Sequence, residues 1–81
     1  MSEDIIKELE NRIKEIETTK SDLWDKGQYD PMMEEEYWDC HIVMRQMKEG
    51  DGVDVSDLEK KKHEGVIAAQ QQIYKMAATK E

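Results

Sequence analysis

Apolar residues recur at intervals of three and four along three stretches of this chain, and nowhere do they alternate as they would along a half-buried strand. In the first stretch Ile6, Leu9, Ile13, Ile16, Lys20 and Leu23 form a heptad-like stripe. Trp24 returns to the angle of Ile6 after five full turns. Glu8, Lys14, Glu15 and Asp22 fall on the other side, the pattern of a surface helix. The second stretch places Met33, Tyr37, Cys40, Met44 and Met47 on one stripe, with Val43 at its edge. The third runs Leu58, Lys62, Gly65, Val66, Ala69, Ile73 and Met76. Ile67, Tyr74 and Ala78 widen that stripe, so this helix calls for cover over more than half its circumference.

Two clusters of turn residues separate the stretches, Gly27-Gln28-Tyr29-Asp30-Pro31 and Gly50-Asp51-Gly52. They predict helices over about 3–26, 31–48 and 56–78, in one helical domain spanning 1–81. Local capping chemistry agrees with these limits. Ser2 can cap the first helix and Gly27 end it. Asp30-Pro31 offers a side-chain cap followed by a residue suited to the first helical position. Ser56-Asp57-Leu58-Glu59 has the form of a capping box. The last residues, Ala78 to Glu81, carry fraying signals.

The expected fold is all-α, a small three-helix unit. The short first turn folds helices one and two into an antiparallel hairpin, and helix three lies along the groove between them. Trp38 and Ile42 do not fit this scheme. They neighbour each other at i and i+4 but project roughly 140 to 180° away from Met33, among Glu34, Arg45 and Glu49. A large aromatic left on an acidic face calls for another subunit or a binding partner, so a homo-oligomer is expected. An alternative keeps helix one as a dimeric coiled coil, which two and a half heptads with Lys20 at an a position would make marginal. Gly65 and Ala69 are small residues one turn apart. A helical Gly costs roughly 1 kcal/mol relative to Ala, a cost that close approach of a neighbouring helix would explain.

Composition narrows the function classes. The 81 residues carry 20 Asp and Glu against 12 Lys and Arg, a net charge of -8, and 37 % of them are hydrophobic. A chain of this size builds a modest core. The acidic balance argues against direct nucleic-acid binding, which works by neutralising phosphates. No apolar run approaches the roughly 18 to 20 residues that cross a bilayer, and the N-terminus lacks the pattern of a secretion signal. The single Cys40 suits a reducing compartment. A cytoplasmic protein without membrane contact is therefore expected.

Candidate chemistry is thin. His41 and His63 stand in no metal-ligand spacing, and Cys40 has no second Cys, so no metal, cofactor or catalytic residue is assigned. Cys40 and His41 diverge by about 100° on a helix and cannot act together as nucleophile and base. Asp22-x-x-Asp25 and Glu36-x-x-Asp39 resemble the paired acids that hold magnesium in all-helical nucleotide pyrophosphohydrolases. Those enzymes use glutamates in the first pair and a longer helical array, and in so acidic a chain such spacing arises by chance. Gly50 to Asp57 lacks the alternate ligands, central Gly and final Glu of a helix-loop-helix calcium loop.

Two charge clusters suggest binding instead. Lys60, Lys61 and Lys62 with His63 form the one basic cluster, near the start of helix three, where they could hold an anion or nucleotide. Asp30 to Asp39 contains five acids and no base, interleaved with Tyr37 and Trp38. Such a stretch could mimic nucleic-acid phosphates in a cationic groove. The expected function is a small acidic, non-enzymatic interaction protein that binds and modulates or inhibits a macromolecular partner. Tyr37, Trp38, Ile42, Glu34 and Arg45 form its expected partner or oligomer interface. The alternatives are an oligomer that sequesters a nucleotide or other anion, and a nucleic-acid mimic. Small acidic chains of this kind occur among viral and mobile-element inhibitors of host machinery, an association rather than a derivation.

Overall fold

The computed structural model describes residues 2–78. Three helices account for nearly all of them: α1 (Ser2–Asp25), α2 (Pro31–Glu49) and α3 (Ser56–Ala78), with no strand among the described residues. The side chain of Ser2 and residues 79–81, the places of the expected cap and frayed tail, lie outside the described residues.

Local sequence explains the helix ends. Gly27 adopts φ 74°, and the amides of Gly27 and Gln28 donate back to the carbonyls of Trp24 and Leu23 at 3.0 and 2.8 Å. This is a Schellman closure, which needs a left-handed residue that glycine supplies without steric cost. The Asp30 carboxylate accepts the amides of Met32 and Met33, and Pro31 begins α2. Gly50 ends α2 at φ 104°. The start of α3 differs from the expected capping box. Ser56 is already helical, the Asp54 carboxylate takes its amide at 2.9 Å, and the amide of Glu59 bonds the carbonyl of Val55. An aspartate two residues upstream makes the turn that the serine was expected to make.

The helices form a single layer. α2 lies in the middle, antiparallel to α1 on one side and to α3 on the other, and α1 and α3 do not approach each other. This corrects the expected placement of α3 in a groove between α1 and α2. The reason lies in α2, which carries large side chains on two opposed sides. Cys40 and Tyr37 face α1, where Ile13 and Ile16 are buried. Trp38, Ile42 and Arg45 face α3, where Leu58 and Ala69 are buried. The pair expected to remain uncovered is thus the surface on which α3 docks. Contacts of Arg45 with Asp57, Asp39 with Lys62 and Glu34 with Gly65 fix the antiparallel register.

A layer one helix thick buries little. Its principal extents are 52 × 23 × 12 Å and its Cα radius of gyration is 14.8 Å, against about 12 Å for a compact domain of this length. The accessible surface is 6028 Å², where a compact protein of this mass has about 5,100 Å².

Candidate functional site

The junction of all three helices centres on Glu34, which is only 3 % exposed. Its Oε1 meets the Lys20 ammonium of α1 at 2.5 Å. Its Oε2 occupies the space that a side chain at Gly65 of α3 would need: a Cβ there would lie 2.6 Å away. The Gly-to-helix approach expected from sequence therefore exists, but the group admitted is a carboxylate. Lys20 also lies 5.0 Å from the Tyr37 ring centroid and 5.7 Å from that of Trp24, within range of cation–π attraction.

Beside this junction Tyr37, Trp38 and His41 form an aromatic cluster, with ring centroids 4.8 to 5.6 Å apart. Tyr37 donates its hydroxyl to Glu17 at 2.9 Å. Burial, and then this bond, push its phenol up to about 12. Lys61 sits 5.8 Å above Trp38. Trp38 Nε1 and His41 Nε2 are buried without a hydrogen-bond partner. Burial holds the His41 pKa below its ordinary 6.5, partly opposed by Glu17 and assisted by Arg45 and Lys61.

That direction has a consequence for stability. A histidine whose folded pKa is depressed contributes stability above 6.5 that is lost as pH falls through and below that value, because only the unfolded chain takes up the proton readily. The thermal midpoint, followed by circular dichroism, is expected to fall between pH 7.5 and 5.5 and to fall less in His41→Gln. An unchanged slope in the variant would place the loss elsewhere. Glu36 and Asp57, both held low by arginine hydrogen bonds, make their losses at more acidic pH.

The remaining expected site residues are dispersed. Arg45 binds Asp57 at 2.7 Å and the carbonyl of Asp54 at 3.2 Å, clasping the ends of α2 and α3. Ile42 lines the α2–α3 groove with Val66, Lys62 and His63. Of the five expected interface residues, four sit in or against the joint between α2 and α3, and Tyr37 sits against α1. The basic cluster also separates. Lys62 is held by Asp39 at 2.8 Å on one broad face, Lys61 covers Trp38, and Lys60 is exposed. Consecutive residues on a helix diverge by about 100°, and α2 takes two of the three lysines in different directions.

Sequence periodicity did not single out an open groove of about 630 Å³ between α1 and α2 on one broad face. Leu9, Met33, Cys40 and Val43 line it, and Met32, 78 % exposed, stands at its rim. Asp30, Glu35, Glu36 and Asp39 border it against one cation, Arg12. Arg12 makes hydrogen bonds to both Glu36 and Glu15. Cys40 is buried in the floor, and its pKa is raised by burial first and by Glu36 second, so the thiol is held in its unreactive form. The available signal was Met32, an apolar residue on the solvent side of the second stripe.

Among the described residues no group of three or more His, Cys, Asp or Glu side chains is arranged to hold a metal ion, and no helix is long and apolar enough to cross a membrane. Comparison with protein-family models, curated proteins and solved structures finds no match to this chain.

Proposed function

We propose that this protein is a non-enzymatic interaction module, which self-associates and binds a cationic, amphipathic segment of a macromolecular partner in the groove between α1 and α2. The groove's composition carries the proposal: an apolar floor with Met32 and Met33 at one end, bordered by Asp30 and Glu35 and by Glu36 and Asp39, the last two already paired with Arg12 and Lys62. Methionine side chains are flexible and polarizable, and adapt to differently shaped apolar anchors. The carboxylates would steer and orient a cationic segment, and a helix laid in the groove would present its apolar side to the floor. Regulation or inhibition follows from occupancy, since a segment held there is withheld from other contacts.

The other readings have less support. Lys60, Lys61, Lys62 and His63 do not converge on one ligand. Three of the five acids between Asp30 and Asp39 are neutralised within the chain, Glu34 by Lys20, Glu36 by Arg12 and Asp39 by Lys62, which weakens mimicry of a phosphate backbone.

Calorimetry with a synthetic amphipathic Leu/Lys peptide about four turns long tests the proposal. Binding is expected, weakening as salt rises. Met32→Lys together with Val43→Lys, which removes apolar contact and adds like charge, is expected to weaken it about tenfold. A Leu/Glu peptide of the same pattern should not bind. Equal binding of both peptides, or of neither, overturns the groove as a cationic-segment site.

A further inference from the structure

Residues 65–74 of α3 contain no charged side chain, although 40 % of the chain is charged. These ten residues make nearly three helical turns. Contact with α2 accounts for the inner side, where Gly65 admits Glu34 and Ala69 is 0 % exposed. It does not account for the outer side. Ile67 lies about 160° around the helix from Ala69 and is 37 % exposed, and Tyr74, two turns on, is 79 % exposed. Gln70 and Gln71 lie exposed between them. The outer side of α1, by comparison, carries Lys7, Glu8, Lys14 and Glu15. Loss of charge with retention of tyrosine and aliphatic side chains marks the centre of a protein interface.

We infer that this outer edge of α3 is where two copies of the chain associate, antiparallel about a two-fold axis normal to the helical layer. The inference rests on the self-association in the proposal above, names its face, and leaves the α1–α2 groove open. The charges at the two ends of the neutral segment select the occupant. Glu64 and Lys75 flank it and lie within about 20° of each other around the helix. With the axis between Gln70 and Gln71, Ile67 of one copy meets Tyr74 of the other, twice. Glu64 of each copy then comes within a turn of Lys75 of the other. A parallel pairing would set like charges together, and a partner of uniform charge would be repelled at one end. A second, reversed copy satisfies both ends, as an isologous contact requires. The paired layer would contain six helices side by side.

Sedimentation equilibrium of the full chain at micromolar concentrations is expected to give twice the 9.6 kDa protomer mass. Ile67→Lys with Tyr74→Lys should weaken association about 100-fold or more, with helical circular dichroism confirming that the protomer still folds. Glu64→Lys and Lys75→Glu, both at exposed positions, are each expected to weaken it about tenfold, and their combination to restore it. A monomeric wild type overturns the inference. So does an assembly that neither the lysine variant nor the charge reversals alter, which would leave self-association standing on another face. Titration of the Leu/Lys peptide against the same variants separates the two proposals. Peptide binding that survives loss of the dimer upholds the groove, and a dimer without peptide binding upholds only the α3 face.

Discussion

Replacing Lys20 by methionine is expected to destabilise the protein by about 2 to 3 kcal/mol, a large share of the roughly 4 to 12 kcal/mol that a domain of this length commands. The loss comes from what remains behind. The Glu34 side chain is 4 % exposed and that of Lys20 is 28 % exposed, so removing the ammonium leaves a carboxylate enclosed by three helices without its counter-charge. Breaking a fully buried pair costs about 3 to 5 kcal/mol, and the partial exposure of Lys20 brings the figure below that range. The converse change is expected to be milder. In Glu34→Gln the lysine can turn its ammonium toward water along a flexible stem, and the loss should be about 1 kcal/mol. The double variant Lys20→Met, Glu34→Met removes both desolvated charges and should recover most of the stability, because apolar groups of similar volume serve such a site as well as an ion pair does. Urea denaturation of the four proteins supplies the comparison. If Lys20→Met costs no more than Glu34→Gln, the junction does not enclose its carboxylate as described.

The helices were legible in the sequence because their limits depend on neighbours. Asp30, Pro31, Gly27 and Gly50 act on amides and carbonyls within five residues. Even there α3 shows a limit. Ser56-Asp57-Leu58-Glu59 and Asp54 both offer a turn of the right kind, and pattern alone favoured the one that the chain does not use. The angle of Trp38 and Ile42 was likewise a local property and was read correctly. What covers them depends on the path of the chain after Gly52, and α3 docks on the side that had been left for a partner. The association of Lys20, Glu34 and Gly65 was invisible for the same reason. Lys20 looked like an interruption in an apolar stripe, Glu34 like part of an outward interface, and Gly65 like a place for a neighbouring helix to approach. Only the antiparallel registers of α1 on α2 and α2 on α3 bring the three together.

The importance of that meeting can be read from the sign of a single substitution. Gly65→Ala in an isolated helix would stabilise by about 1 kcal/mol. In this protein it is expected to destabilise by about 1 to 2 kcal/mol, since the new Cβ would lie 2.6 Å from Glu34 Oε2 and 3.3 Å from its Cδ. A terminal carboxylate on a flexible side chain can ordinarily step aside. Glu34 cannot do so without leaving Lys20 or pressing into the neighbouring helices, so the clash becomes a loss of the ion pair. In a Glu34→Ala background that obstacle is gone. The nearest remaining atom is Trp38 Nε1 at 3.4 Å, an ordinary contact distance, and the same Gly65→Ala change should then stabilise by about 0.5 to 1 kcal/mol. The two backgrounds thus differ in sign, with a coupling of about 2 kcal/mol in a double-mutant cycle followed by urea denaturation. A coupling near zero would show that the carboxylate swings clear at no cost. The glycine would then serve only to let α2 and α3 approach, and the junction of three helices would not depend on the pair it shelters.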